Sequence, residues 1–287
     1  MLPLPADAPL GDWPVIALAF FVGACVGSFL NVCIYRIPED ESVVTPRSRC
    51  PGCGTEIAWY DNIPILSWLF LRARCRSCAS PIAARYPLVE GITGGLAVLA
   101  LVRFGLTPMA GIAFAFTAAL LLITFVDLDH LFIPDEVSLP GILIGLGISM
   151  LPGGLGLANA VGGAVLGGGI LWAVAWSYER ATGTEGMGFG DVKLLAMIGA
   201  FLGWQAIPAI LIVASISGSV AGLLVIFTAR GRATIRRITR TLGARALGPY
   251  VRRAARTTAI PFGPFLALGA VVALYLPEIT LPFTFGP

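Results

Sequence analysis

The apolar residues of this chain lie in long runs, and the polar ones gather between them. Eight runs stand out, at about 14–34, 86–104, 108–126, 132–150, 157–177, 191–204, 206–228 and 260–277. A helix rises about 1.5 Å per residue, so about 20 apolar residues cross the hydrocarbon core of a bilayer. The sixth run is too short for that and predicts a helix starting part-way into the membrane. The pattern as a whole predicts an all-α polytopic membrane protein of about eight transmembrane helices.

Composition agrees. Of the 287 residues 57% are hydrophobic and 12% charged, against about a quarter charged in soluble domains. The 35 glycines suit close helix packing in lipid. A pI of about 8.6 could suggest nucleic acid as a partner, but the placement of charge argues against it. With eight crossings, 35–85, 127–131, 178–193 and 229–259 fall on one side. All but one of the 19 Lys and Arg lie there, Arg103 being the exception. That side is expected to be cytoplasmic, with both termini outside. The first fourteen residues hold two Asp and no basic residue, unlike the start of a cleaved signal peptide. In 229–259, Ile235, Ile238, Leu242 and Leu247 recur among arginines. An interfacial helix on anionic lipid is expected there.

The first polar interval, 35–85, is long enough for a small domain between helices 1 and 2. It carries CPGC (Cys50, Cys53) and CRSC (Cys75, Cys78). Two such knuckles supply four thiolates for a tetrahedral, closed and therefore structural Zn2+ site. Gly52 and Ser77 are expected to permit the tight turns. A reducing cytoplasmic side counts against disulfides. Cys25 and Cys33, inside the first run, read as packing residues.

Acidic residues at membrane depth are candidates for function. One cluster is FVDLDHLFIPDE, with Asp127, Asp129, Asp135 and Glu136; the other is GMGFGD, ending in Asp191. Both sit at helix ends on the same side, so Asp127 and Asp191 can meet. Paired carboxylates sharing a proton can activate water and polarise a carbonyl, as in an aspartic protease. Gly186, Gly188 and Gly190 would permit unusual backbone angles and form, with Lys193, the wall of a substrate cleft. Asp129, Asp135 and Glu136 read more simply as loop solvation or a cap for the helix after Pro134. His130 is the only histidine, and without HExxH a zinc protease of that type is excluded.

These residues resemble a known family. FVDLDHLFIPDEVSLPG and GMGFGDVKLLAMIGAFLGW look like the type IV prepilin peptidases, membrane aspartic proteases of the GxGD class. GSFLNVCIYRIP, the paired knuckles and IPFGPFLALGA are similar to the same family. The resemblance implies that Asp127 and Asp191 are catalytic. It implies type IV prepilins and pseudopilins as protein substrates, cut after Gly at the cytoplasmic face of a bacterial inner membrane. It also implies N-methylation of the new terminal residue, usually Phe, by S-adenosylmethionine, with Gly27, Asn31 and Arg36 as methyl-donor candidates. No GxGxxG unit of the soluble kind supports that donor site independently. The expected division is a first helix in 1–34, a methyltransferase-associated zinc domain in 35–85 and a peptidase core in 86–228. A basic loop in 229–259 and the last helix in 260–287 follow. A peptidase whose cysteine domain is purely structural, a GxGD protease of broader single-pass substrates and an ion transporter are the alternatives.

Overall fold

The computed structural model describes residues 12–183, 188–227 and 261–277. Each of the eight apolar runs is a helix: α1 (Trp13–Arg36), α3 (Arg85–Phe104), α4 (Pro108–His130), α5 (Asp135–Ser149), α6 (Leu157–Thr182), α7 (Phe189–Leu202), α8 (Ile207–Phe227) and α9 (Gly263–Tyr275). A short α2 (Leu66–Phe70) lies in the cysteine-containing interval. Among the described residues there is no β-strand, only two isolated bridges. Five helices are long and apolar enough to cross a membrane, and the last helix is a shorter apolar one. Helix ends follow local chemistry. Pro108 opens α4, where its missing N–H costs nothing, and Gly105 ends α3 at φ 68° with its N–H on Leu101 O. The basic stretch 229–259 lies outside the described residues.

The chain forms two compact units, dividing inside α4 between Val126 and Asp127. In the first, α1 lies along α3 with almost no side chain between them. A Cβ on Gly23 would come 2.6 Å from Ala97 Cβ, and one on Gly27 2.7 Å from Glu90 Cα. Small residues four apart let two backbones close up, which in lipid supplies much of the packing energy.

The second unit is centred on α7, whose Val192, Leu194, Leu195, Met197, Ile198, Gly199 and Ala200 are all buried. Gly163 of α6 and Gly199 of α7 touch backbone to backbone. One turn on, a Cβ on Gly167 would meet Leu195 O at 2.6 Å. On the other flank Gly141 and Gly145 of α5 receive Met197 and Phe201. α7 is short, as its sequence implied: 14 residues, or about 21 Å.

Candidate active site

Asp127 sits in the last turn of α4 and is only 5% exposed. The helix stops three residues later because Leu131 takes a left-handed conformation, φ 57°, with its N–H on Asp127 O at 3.0 Å. The chain turns through Phe132 and Ile133 and re-enters a helix at Asp135. Asp135 and Glu136 therefore occupy the first turn of α5, where the helix dipole favours acids. No side-chain cap bond is formed at this helix start, and both acids also face a cavity shared with Asp127.

Asp191 sits in the first turn of α7, behind Gly188, Phe189 and Gly190. Asp127 and Asp191 line one cavity of about 460 Å³, with Ile133, Asp135, Glu136, Gly188, Gly190 and Lys193 on its walls. The structure thus brings together Asp127, Asp191, Gly188, Gly190 and Lys193; Gly186 lies outside the described residues. The glycines differ from expectation in one respect. Gly188 is extended (φ −67°, ψ 139°) and Gly190 helical, so neither uses angles closed to other residues. Gly190 needs space instead, since a Cβ there would lie 3.0 Å from Ile133 Cβ.

Lys193 bonds Asp135 directly, tying the start of α7 to the start of α5, and its ammonium lies 5.7 Å from the centre of the Phe189 ring. Asp135 is half exposed, so the pair contributes about 0–1 kcal/mol. Lys193→Ala should therefore slow any reaction in this cavity less than about fivefold. Initial rates test this, and a thousandfold loss would place Lys193 in the chemistry itself.

Two positions were not legible as site residues. Ile133, 6% exposed, packs against Gly190 and reaches Gly263. The amide of Gly263, at the start of α9, donates to Asp127 Oδ2 at 2.9 Å. Nothing in local sequence links residues 136 apart.

In the first unit, Cys50, Cys53, Cys75 and Cys78 converge, with all four Sγ atoms within 4.8 Å of one another, and could hold a metal ion. The two knuckles are built alike. Cys50 N–H donates to Thr55 O and Gly54 N–H to Cys50 O; Cys75 N–H donates to Ser80 O and Ala79 N–H to Cys75 O. The left-handed residues are Gly54 (φ 71°) and Ala79 (φ 58°), so the turn closes after the second cysteine rather than at Gly52 and Ser77. Backbone N–H groups of Cys53 and Gly52 pull the Cys50 thiol down to about 6. Its thiolate, the form that binds metal, thus prevails at neutral pH and is lost as pH falls through that value.

The GSFLNVCIYRIP residues face their own frame. Asn31 Nδ2 donates to Tyr86 O at 3.1 Å, and Arg36 donates to Ser42 O and Pro46 O at 2.8 Å each. Gly27 is closed off by Glu90 and Thr93. Glu90, buried, accepts the Ile65 N–H at 2.8 Å; as a single acid at the start of a long run it gave no sequence signal.

Residues 21–104 match the bacterial peptidase A24 N-terminal domain, and residues 114–223 the type IV leader peptidase family. A prepilin leader peptidase/N-methyltransferase of Aeromonas hydrophila is 38% identical over 288 residues, covering 91% of each chain. One from Myxococcus xanthus is 46% identical over 225 residues, covering 77% of this chain and 66% of its own. One from Burkholderia pseudomallei is 37% identical over 298 residues, covering 95% and 89%. No solved structure matches.

Proposed function

This chain belongs to the type IV leader peptidase family, and from that premise we propose that it removes the leader of type IV prepilins and pseudopilins after Gly and N-methylates the residue left at the new N-terminus. The observation that carries the peptidase half is the pair Asp127 and Asp191, two acids from different helices on one cavity wall. One carboxylate takes a proton from water as the water oxygen bonds the carbonyl carbon of that Gly. The protonated partner hydrogen-bonds the carbonyl oxygen and gives up its proton as charge develops. The tetrahedral species then collapses, the C–N bond breaks, and a carboxyl proton passes to the leaving amine. No covalent enzyme intermediate is needed. Gly188, Gly190 and Lys193 border the cleft in which the extended junction lies.

The four cysteines fit zinc. Zn–S bonds of about 2.3 Å in a tetrahedron separate the sulfurs by about 3.8 Å, and Cys50 Sγ lies 3.8 Å from Cys78 Sγ. Such a site has no open position, so the metal is structural. S-adenosylmethionine supplies the methyl group in this reading. Gly27, Asn31 and Arg36 are the candidates for the donor region; Asn31 and Arg36 bond protein carbonyls and Gly27 packs against Glu90 and Thr93. The basic polar intervals support an inner-membrane orientation with the dyad and the cysteines cytoplasmic and both termini outside. A substrate helix would reach the dyad laterally through lipid; nucleic acid has no part in this reading.

Co-expression with a prepilin, followed by mass measurement of its N-terminus, reads both activities. Cleavage with one added methyl group is expected; an uncut leader would refute the proposal, and a cut but unmethylated product would reduce it to a peptidase. Cys75→Ser should lose the bound zinc and methylation while cleavage continues, because the dyad belongs to the other unit. Metal content and product mass on the same preparation check this.

A further inference from the structure

The motif IPFGPF at 260–265 lies beyond residues 114–223, the span that matches the leader peptidase family, and the dyad chemistry above makes no use of it. Yet α9 begins against Asp127. The first N–H groups of any helix have no partner within it, and here they can be accounted for one by one. Phe265 and Leu266 both donate to Phe262 O, at 3.0 and 3.2 Å. Pro264 has no N–H to offer. That leaves the amide of Gly263, which donates to Asp127 Oδ2 at 2.9 Å in a buried position. The carboxylate and the helix start are thus joined through one donor.

A side chain on residue 263 would push directly on the Asp127 carboxyl. A Cβ on residue 263 would stand 2.6 Å from Asp127 Oδ2, 3.3 Å from its Cγ and 3.5 Å from Ile133 Cδ1. The same Ile133 fills the space at Gly190, next to Asp191. One apolar side chain therefore separates the start of α9 from the start of α7, with an acid beside each.

We propose that Gly263 is a positioning residue of the peptidase centre: its amide engages Oδ2 of Asp127 and so leaves Oδ1 as the oxygen that meets the attacking water. An oxygen already accepting an N–H has one lone-pair direction filled and its carboxyl plane set, whereas an unbonded carboxylate rotates about χ2. A reacting atom displaced by about 1 Å costs on the order of 10²-fold in rate. Pro264 serves the same end by removing a competing donor from the first turn. This proposal rests on Asp127 being one of the two reacting acids.

The test is steady-state cleavage of a prepilin by the full-length enzyme in detergent or lipid. Gly263→Ala should lower kcat on the order of 10²-fold with KM within about twofold, because substrate contacts elsewhere remain. Its melting temperature and its methylation of an already cleaved pilin should match the parent. Gly269→Ala is the control: it crowds the same helix, with a Cβ 2.7 Å from Ile210 O, but does not touch Asp127. A kcat for Gly263→Ala within about threefold of the parent would overturn the proposal. So would equal losses of kcat in the two variants, which would mean that Gly263 only packs α9. Failure of the underlying reading would show separately, as an Asp127→Asn enzyme that still cleaves.

Discussion

Asp191→Asn should leave the chain folded and slow leader cleavage on the order of 10³-fold or more. Asn has nearly the volume of Asp, so the packing of α7 and the contact between Gly190 and Ile133 are kept. The lost property is the ability to exchange a proton, and the proposed mechanism needs that ability at both acids. Asp127→Asn should cost about as much. The double variant should be no worse than either single one, because two groups acting as a unit are not additive when removed. Initial rates of prepilin processing, read by product mass, decide this. A single Asn variant retaining a tenth of the parent rate would rule out the dyad. Methylation of a pre-cleaved pilin should survive in all three variants, since the cysteine-bearing unit is untouched.

The second large effect concerns the fold. Gly199→Val should destabilise the protein by about 3 kcal/mol or more, at the upper end for an overpacked site. The added side chain would meet the backbone of Gly163 and Ala164, not the movable end of a flexible neighbour. Gly163→Val should fail in the same way from the other side. Gly169→Val, on the same α6 helix but with nothing within 4 Å of its would-be Cβ, should be tolerated. Thermal unfolding of the purified variants tests the contrast. If Gly199→Val melted within about 2 °C of the parent, the backbone contact between α6 and α7 would not be what holds α7. Any surviving Gly199→Val protein should also cleave poorly, because α7 carries Asp191.

The helices were legible because lipid imposes one rule on every residue of a run. A crossing segment must be apolar along its length, and that constraint is written in consecutive positions. The same rule exposed Asp127 and Asp191, since a carboxylate at a membrane-helix end stands out against its neighbours. Four cysteines in two pairs, a group that could hold a metal ion, were legible because metal ligands must be particular residue types at particular spacing. Contacts between distant positions were not. Lys193 and Asp135 form an ion pair 58 residues apart, and neither announces the other. Gly263 acts through a backbone amide, a group every residue but proline possesses, so its side-chain identity reports only the space around it. The knuckle turns were misplaced for a related reason. Gly52 looked like the turn residue because it is glycine, but the left-handed positions fall at Gly54 and at Ala79, and Ala79 gives no such sign.

Three of the helices that meet around the acids are the shortest of the eight: α5 with 15 residues, α7 with 14 and α9 with 13. At about 1.5 Å per residue they are about 20–23 Å long, against about 30 Å of hydrocarbon. A bilayer meets such undersized walls by thinning. In a bilayer that thins around them, the headgroup layer and its water would be brought inward toward the acids. On the proposed aspartate mechanism, hydrolysis would then need no dedicated channel, because the water boundary would itself approach Asp127 and Asp191.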